Sequence, residues 1–473
     1  MPGHKGTAPL GVPEELKGAY MYDITEIAGA DDLYDPTGII LKSERIAGKI
    51  FGAPTYYSTE GSSQCVKAML KLALDRAVGN DNHPLGRDGH TAGKECHTAG
   101  KPYVICAGTA HKAFLSGTEL LGIEVVRVKV ADKPDRGDAK MGSPILSVDV
   151  ITDAVDREIF KRSYSPIGVF VTYPDYYGNV IDLAAIKKEL SKRGILLLVD
   201  GAHAAYFKFL DHSKYPEYIH PIDAGADICC CSAHKTLPAL TGAAYLHISV
   251  NITQDLPQEK VLKAMSLFGS SSPSYLILAS LDAVNGCICN ACVLNGDTES
   301  NPCLTINHDM SDAAIIDKSD ASGEVGFTAL VNITSKKVAE LKDKLISRGL
   351  GVLKSDPLRL VIRAGADETA NPGAGDALAV NPGAGDALAA KLRRAGCEPE
   401  CVNGDDVIMM LSPYNTDRDL ERIYKALTIK SDEPERRFTG GEESDVGNDA
   451  GNGTNKGTGA GALRGYDILK NFI

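Results

Sequence analysis

The stretch ADICCCSAHKTLP, residues 226–238, places a lysine, Lys235, shortly after a continuous apolar run. A short, uninterrupted apolar run is typical of a strand that is buried on both faces of a parallel sheet. A lysine at the end of such a strand is costly to keep as a bare cation. Either Lys235 therefore extends to water, or a ligand in a pocket needs its amine.

Apolar runs of the same kind recur through the middle of the chain. Four more stretches have the composition of strands: PYVICAG (102–108), IEVVRVKV (123–130), IGVFVTYP (167–174) and ILLLVDGAH (195–203). Two intervening stretches have apolar residues at helical spacing: HKAFLSGTELLG (111–122) and IDLAAIKKELSKRG (181–194). The alternation predicts an α/β large domain built on a mostly parallel sheet with helices on both faces. Later stretches at 336–365 and 405–413 predict a smaller C-terminal α+β domain.

Composition shifts divide the chain into five predicted segments. They are an N-terminal segment (1–45), a large domain (46–285), a polar, cysteine-containing linker or insertion (286–325), a small C-terminal domain (326–432) and a glycine-rich tail (433–473). The tail has too few apolar residues to fold and is predicted to be disordered. HTAGK occurs at 90–94 and 97–101, and NPGAGDALA at 371–379 and 381–389. Both are interpreted as local duplications in surface loops or at a helix edge, because a solenoid needs several stacked repeats.

The bulk composition argues against several classes of protein. The formal net charge of −12 and the absence of a basic patch argue against nucleic-acid binding. No apolar run reaches the length of a membrane span, and the N-terminus does not resemble a signal peptide, so we expect a cytoplasmic protein. The consecutive Cys229, Cys230 and Cys231 alternate in direction along a strand and are interpreted as buried apolar residues. No metal site is predicted, since Cys287, Cys289, Cys292 and Cys303 do not have the spacing of structural zinc ligands.

Two stretches before the lysine have features of a ligand site. In STEGSSQCVKAML (58–70), Ser62 and Ser63 begin a predicted helix, where amide groups and hydroxyls could bind a phosphate or simply cap the helix. His111 begins the helix after the strand 102–108, where an imidazole could stack on a flat ligand or serve as a cap. Taken alone, each observation favours the capping role.

Asp200 and Lys235 together point to a specific chemistry. Each follows an apolar strand, and the carboxyl ends of parallel strands meet in the crevice where α/β proteins bind ligands. Pyridoxal phosphate (PLP) requires this pair, because a lysine binds its aldehyde and a carboxylate keeps its pyridine nitrogen protonated. Burial would lower the pKa of the lysine amine and help it to act as a nucleophile. Ser232 and His234 flank the lysine and are placed to contact the phosphate.

A longer series of motifs carries a family resemblance. In order along the chain these are MPGHKG, DITEIAGADDLYDPTG, FGAPTYYSTEGSSQ, AHKAF, VTYPDYYGNVIDL, LLLVDGAHAAYFKF, GADICCCSAHKTLPALTGAAYLH and SSSPSYLILASLD, with LRLVIRAG and DDVIMMLSPYNTDRDLERI beyond them. The series resembles the ornithine/lysine/arginine decarboxylase family. The resemblance implies PLP fold type I, the aspartate-aminotransferase-like fold, with PLP bound by the large domain (46–285). It also implies the short form of the family, without an N-terminal wing domain.

The resemblance assigns roles residue by residue. Lys235 corresponds to the lysine that binds PLP, Asp200 to the partner of the pyridine nitrogen, and His111 to the histidine that stacks on the ring. His203 lies in the same motif as Asp200 and is predicted to be catalytic with these three. The predicted phosphate contacts are Ser62, Ser63, Ser232 and His234. Ser270 and Ser271, in SSSPSY, resemble a segment that reaches the phosphate of the neighbouring subunit, which implies a homodimer with active sites at the interface.

The reaction implied by the resemblance is decarboxylation of lysine, arginine or ornithine to an amine. Many family decarboxylases read DEAH where this chain reads Asp200-Gly201-Ala202-His203, so one carboxylate is missing. This keeps open another PLP-dependent reaction, such as transamination or elimination. A regulatory or structural relative without activity is a third alternative. Arg363, in LRLVIRAG, is predicted either to bind the substrate carboxylate or to be an exposed strand residue.

Overall fold

The computed structural model describes residues 2–79, 100–128, 147–288, 326–365 and 383–429. The HTAGK duplication up to residue 99, the first NPGAGDALA copy and the 433–473 tail lie outside the described residues. So does nearly all of the predicted 286–325 insertion, with Cys289, Cys292 and Cys303. The described part of the second NPGAGDALA copy enters a helix.

Helices and strands alternate through the large domain, as the sequence predicts. The helices are α1 (Glu14–Tyr22), α2 (Ile39–Phe51), α3 (Gly61–Val78), α4 (Lys112–Leu120), α5 (Val148–Arg162), α6 (Leu183–Ser191), α7 (Ala233–Thr236), α8 (Gln258–Ser266), α9 (Tyr275–Ile288), α10 (Phe327–Ser347), α11 (Ala384–Arg394) and α12 (Asp417–Thr428). The strands are β1 (Thr55–Ser58), β2 (Tyr103–Ala107), β3 (Glu124–Arg127), β4 (Val169–Thr172), β5 (Leu197–Asp200), β6 (Ile228–Ser232), β7 (Ala244–Ile248), β8 (Gly351–Leu353), β9 (Arg359–Arg363), β10 (Cys401–Asn403) and β11 (Asp406–Met410).

Within the described residues, seven strands form one sheet in the order β1-β7-β6-β5-β4-β2-β3. The central strands are parallel, and β7 runs antiparallel to both of its neighbours. Only residues 233–243 separate β6 from β7, too few for the helical crossover that a parallel neighbour needs. The predicted mostly parallel sheet is therefore confirmed, with one reversed strand that the sequence analysis did not identify.

Each face of the large sheet packs against its own layer of helices. Apolar residues of α3, α4 and α8 form one buried cluster, while those of α2, α5, α6, α9 and α10 contribute to the other. The strands β2, β5, β6 and β7 are buried along their whole length, as the apolar runs that contain β2, β5 and β6 predict. All the parallel strands therefore end at one edge that the helical layers leave for a ligand.

The C-terminal part of the described chain forms a second, antiparallel sheet in the order β10-β11-β9-β8. Helices α10, α11 and α12 pack against it, which gives the α+β arrangement expected from the sequence. The predicted segment boundaries remain predictions. Among the described residues, no helix is both long enough and apolar enough to cross a membrane.

Glu44 is a buried carboxylic acid on α2. Its Oε1 accepts a 2.9 Å hydrogen bond from the backbone N–H of Tyr57 in β1, and the residue is almost fully buried. Burial raises the pKa of this carboxyl group to about 8, which outweighs the opposing effect of the hydrogen bond. The folded protein therefore holds Glu44 in its protonated form at neutral pH.

We predict that Glu44→Gln stabilises the protein relative to wild type at about pH 8 but much less at about pH 5. The folded-state pKa lies above the unfolded one, so wild-type stability falls as pH rises from 4.5 to about 8. The cost is about 1.4 kcal/mol for each unit, whereas glutamine stays neutral throughout. Denaturant unfolding at both pH values measures the difference, with the exposed Glu259→Gln as control. Identical pH dependence in wild type and Glu44→Gln would contradict the prediction.

Candidate active site

The site begins at the carboxyl ends of β5 and β6, which are parallel neighbours. Asp200 is the last residue of β5 and pairs in register with Cys230 of β6. Its side chain is buried, and Oδ1 accepts a 3.1 Å hydrogen bond from the backbone N–H of Ala202. The thiol of Cys230 lies 3.5 Å from the same oxygen. The strand end therefore holds the carboxylate at the ligand edge of the sheet.

Lys235 lies on the short helix α7, which follows β6 directly. Its Nζ is 3.0 Å from Nε2 of His203, which lies just after β5. The Nδ1 atom of His203 is buried and has no hydrogen-bond partner among the described residues. The structure thus brings together Lys235, Asp200 and His203, three of the four residues predicted to be catalytic.

Burial controls the ionisation of this group. It raises the pKa of Asp200 and lowers that of Lys235, and the attraction between the two charges opposes both shifts. Burial also lowers the pKa of His203 well below its ordinary value, helped by the positive charges of Arg359 and Lys235. His203 is therefore a neutral imidazole that accepts a hydrogen bond from Lys235.

His111, the fourth predicted catalytic residue, caps α4. Its Nδ1 accepts a 3.2 Å hydrogen bond from the backbone N–H of Ala113, so the capping alternative describes its contact correctly. The ring is also near enough to Asp200 and Lys235 for their charges to affect its pKa, which partial burial lowers. Capping holds one edge of the ring and keeps the imidazole within electrostatic reach of Asp200 and Lys235.

The predicted phosphate contacts approach one turn, residues 242–243, that precedes β7. The backbone N–H of Gly61, at the start of α3, donates a 2.7 Å hydrogen bond to the carbonyl of Gly242. Nδ1 of His234 lies 2.9 Å from the carbonyl oxygen of Ala243. A Cβ on Gly242 would lie 2.8 Å from the carbonyl oxygen of Thr59, so only glycine permits this close approach. Residues 242–243 thereby hold the first helical turn of α3 near α7.

Ser62 and Ser63 are half-buried in that first helical turn, whose amide groups have no partner within the helix. Ser232 ends β6, and its fully buried Oγ has no hydrogen-bond partner among the described residues. A buried hydroxyl without a partner costs about 1–3 kcal/mol, so this atom is suited to a ligand oxygen. The serines at 62, 63 and 232 and His234 thus border the same end of the sheet.

Ser270 and Ser271 are exposed in the connection between α8 and α9. Oγ of Ser270 accepts a 3.1 Å hydrogen bond from the backbone N–H of Ser272. Within the described part of the chain, neither serine forms a hydrogen bond with Lys235, Asp200 or His203. Their predicted role in a neighbouring subunit remains a prediction.

Arg363 forms an ion pair inside the small sheet. Its Nε and one terminal nitrogen each donate a 2.8 Å hydrogen bond to Asp406, the residue opposite it on β11. The side chain is only 16% exposed, so the alternative of an exposed strand arginine is wrong. The predicted contact with a substrate carboxylate would require Arg363 to share or leave Asp406.

Arg359 was not identified from the sequence, although it precedes Arg363 by four residues on the same face of β9. It is buried, and its Nη1 donates hydrogen bonds to the carbonyl oxygens of Asp175 and Tyr176. Its Nε lies 3.4 Å from Asp356, too far for a good hydrogen bond. The pair of arginines at even spacing in LRLVIRAG was the available signal.

Two further side chains near the catalytic group were also missed. The carboxylate of Glu400 is near enough to Lys235 to favour its charged form. The ring of Tyr176 lies 5.6 Å from that of His203. The packing of the small domain brings Glu400 to the site, whereas Tyr176 belongs to the large domain and follows β4.

Gly201 is tightly packed where many family decarboxylases carry a glutamate. A Cβ at this position would lie 3.1 Å from Cys229 Sγ and from the carbonyl oxygen of Cys230. The same Cβ would lie 3.2 Å from Cγ of Pro221. The missing carboxylate is therefore accompanied by tight packing, in which a larger side chain would require its neighbours to shift by a few tenths of an ångström.

Comparison with known proteins identifies relatives that include arginine decarboxylases. The chain is 30% identical to the uncharacterized protein YaaO of Bacillus subtilis over 261 residues, 55% of this chain and 46% of that protein. It is 27% identical to an arginine decarboxylase of Halalkalibacterium halodurans over 287 residues, 60% of this chain and 50% of that protein. The chain spans about half the length of the curated relatives it matches.

Solved structures show the same fold. The lysine decarboxylase LdcF of Francisella novicida superposes with a TM-score of 0.62 at 17% identity, covering 90% of this chain and 56% of that one. The constitutive lysine decarboxylase of E. coli gives 0.57 at 18% identity, covering 87% and 54%. These likenesses confirm the predicted fold, a PLP fold type I large domain with a small C-terminal domain.

The family model described as "Orn/Lys/Arg decarboxylase, major domain" matches residues 17–419, which include both sheets and every catalytic residue predicted from the motifs. The match covers most of the chain. This protein therefore belongs to the Orn/Lys/Arg decarboxylase family.

Proposed function

We propose that this protein decarboxylates a basic amino acid, namely lysine, arginine or ornithine, with PLP as cofactor. The observation that carries the proposal is the convergence of Lys235, Asp200 and His203 at one buried strand edge. Membership of a family of PLP-dependent basic amino-acid decarboxylases supports the reaction class. The products would be carbon dioxide and the corresponding amine.

The residues present fit PLP in charge and in hydrogen bonding. Asp200 is a desolvated carboxylate, and a protonated pyridine nitrogen is a cation that would offset its burial. The unpartnered Oγ of Ser232 and the amide groups at the start of α3 suit a phosphate. Lys235 supplies the amine that binds the aldehyde, and His111 supplies a flat ring beside Asp200.

When bound, PLP supplies an electron-accepting ring that stabilises the electron pair released as the bond to the carboxylate breaks. Asp200 holds a proton on the ring nitrogen and thereby maintains this capacity. Lys235 has a lowered pKa, so its amine can give up and recover a proton near the substrate α-carbon. His203, neutral and 3.0 Å from Lys235 Nζ, accepts a hydrogen bond that orients the amine.

Two side chains contributed by the C-terminal part of the chain support a basic amino acid as substrate. Arg359 is a buried cation near His203 and Lys235, where it can pair with the substrate carboxylate. Glu400 supplies a negative charge near Lys235 that can attract the basic side chain. Both also border Tyr176, whose pKa responds to their charges. The arrangement thus offers opposite charges to the two ends of the substrate.

We infer that the active form is a homodimer. Ser270 and Ser271 are exposed on their own chain, as residues that reach a neighbouring site must be. The α9 helix that follows them is largely apolar and begins at Tyr275, whose hydroxyl donates a hydrogen bond to the carbonyl of Asp31. This bond ties the connection to the N-terminal segment and fixes where it emerges.

The function is tested by product analysis. We predict that the purified protein with PLP releases carbon dioxide from carboxyl-labelled lysine, arginine or ornithine, with an equal amount of amine. A keto acid without carbon dioxide would instead support transamination, the alternative that the missing carboxylate at Gly201 keeps open. Cofactor binding with neither product from any of the three substrates would reject the decarboxylase and favour a non-catalytic relative.

Lys235→Ala should abolish the visible absorption band of lysine-bound PLP. Alanine has no amine to bind the aldehyde, so cofactor is lost on gel filtration while the fold persists. Absorption spectra measure the band, and far-UV circular dichroism checks folding. The exposed Lys263→Ala serves as a matched control and should keep the band. An unchanged spectrum in Lys235→Ala would reject Lys235 as the anchor.

The two arginines of β9 can be separated by their kinetics. We predict that Arg359→Lys raises KM about tenfold or more, because a charged hydrogen bond contributes about 1.5–3 kcal/mol and lysine cannot bind a carboxylate in the same way. Arg363→Lys, the matched control, should change KM by less than about twofold, since its partner is Asp406. The visible band should persist in both variants. A larger increase in KM for Arg363→Lys than for Arg359→Lys would instead indicate that Arg363 binds the substrate carboxylate.

A further inference from the structure

A buried group of metal-ligating side chains lies in the large domain, on the face of β6 away from Cys230. Cys229 and Cys231 are two residues apart on β6 and share that face, and His247 on β7 pairs in register with Cys229. His220, from the loop before β6, packs against the same face. We define Cys229, Cys231, His220 and His247 as the Cys-His cluster. All four are fully buried.

The distances within the Cys-His cluster approach those of a tetrahedral metal site. Sγ of Cys231 is 3.5 Å from Nε2 of His220 and 3.9 Å from Sγ of Cys229. Zinc bond lengths of about 2.3 Å to sulfur and 2.0–2.1 Å to nitrogen imply tetrahedral edges of about 3.6 and 3.8 Å for these pairs. One ligand atom from each of His220, Cys231 and His247 lies within 4.8 Å of the others. These three residues therefore need only small side-chain movements for ligation, and the thiol of Cys229 adjoins that of Cys231.

One ligand atom of the cluster already lacks a partner. The hydroxyl of Thr55 donates its hydrogen to the carbonyl of Ala53, so it accepts the 2.8 Å hydrogen bond from Nδ1 of His247. His247 therefore carries its proton on Nδ1 and has a bare lone pair on Nε2. That buried Nε2 has no hydrogen-bond partner among the described residues. A histidine that donates its other N–H to a neighbouring oxygen is the usual arrangement at a metal.

We propose that the Cys-His cluster binds one divalent ion of the zinc class, with Cys231, His220 and His247 as ligands and Cys229 as the fourth. Sulfur and imidazole nitrogen are the ligands that zinc prefers, and a four-coordinate set without water is structural rather than catalytic. On binding, the two thiols release their protons to solvent. The two thiolates then balance the charge of the ion, so the core remains neutral.

The histidines are in the form that ligation needs. Both rings are fully buried, which favours the neutral imidazole that binds a metal. His220 must move its proton from Nε2 to Nδ1, which gives up a long 3.4 Å hydrogen bond from the backbone N–H of Ile222. This change is small, because a hydrogen bond of that length contributes little.

The alternating direction of β6 explains why the sequence did not predict this site. Because their directions alternate, the three consecutive cysteines were interpreted as buried apolar residues, and the expectation of no metal rested on the spacing of the later cysteines. The structure shows that two of the three do share a face, and the histidines join them through the β7 register and the loop before β6. The ligand spacing therefore follows from sheet pairing and has no CxxC signature.

The proposal is tested on the full chain expressed in zinc-supplemented medium and purified without chelators. Elemental analysis should find about one equivalent of zinc, and cobalt substitution should give a thiolate-to-cobalt charge-transfer band. Cys231→Ser and His247→Gln should each lower bound metal about tenfold and remove the band. Cys230→Ser is the matched control, because it is equally buried on the same strand but faces Asp200, and it should keep both.

The controls separate this site from the other cysteines of the chain. Both ligand variants retain Cys287 and the cysteines beyond it, so metal held there would persist in them. If Cys231→Ser fails to fold by circular dichroism, His247→Gln alone decides, since it keeps every thiol. Wild-type protein with less than about a tenth of an equivalent of metal would overturn the proposal. So would ligand variants that bind as much metal as Cys230→Ser.

Discussion

Asp200 loses its hydration at the end of β5, a strand buried on both faces, and this burial raises the pKa of its carboxyl group. An isolated carboxylate in such a place would take up a proton. The surroundings oppose that outcome: Lys235 and His111 lower the pKa by their charges, and the N–H of Ala202 donates a hydrogen bond. A bound cation at the strand edge would add to them. The parallel pairing of β5 with β6 makes this possible, because it carries Lys235 to the same edge as Asp200.

Strand β6 serves two parts of the molecule through the alternation of its side chains. Cys230 points to Asp200, whereas Cys229 and Cys231 point to the two histidines of the Cys-His cluster. A register shift of one residue would exchange these faces and place a single thiol where two are now found. The antiparallel pairing with β7 fixes the register along the whole strand, since Ile228 to Ser232 all have partners there. The reversed strand is thus part of what holds both groups in place.

Features that depend on the local sequence pattern could be predicted, whereas features that depend on how the small domain packs against the large one could not. Asp200 and Lys235 could be placed together because uninterrupted apolar runs reveal buried parallel strands, and such strands share a ligand edge. His203 was predicted from the family resemblance alone. Arg359 and Glu400 approach Lys235 only after the small domain packs against the large one, which no short motif records. Arg363 was identified and Arg359 was not, because the sequence of one strand does not show which arginine already has a partner. The pairing of β9 with β11 places Asp406 opposite Arg363. The direction of β7 was not predicted for a similar reason, since the sequence of a single strand does not show which strands it pairs with or in which direction.

Gly201 links the active site to the Cys-His cluster. It lies directly after Asp200, and a Cβ there would approach Sγ of Cys229 to 3.1 Å. A glutamate at this position, as in many family decarboxylases, would have to displace Cys229 or move the strand end that carries Asp200. Interiors packed at this density do not absorb such a side chain without strain. Glycine therefore fits beside Cys229 without any shift, whereas a larger side chain would require its neighbours to move by a few tenths of an ångström. The absence of a carboxylate beside Asp200 and the pair of thiols behind it thus belong to one tightly packed region.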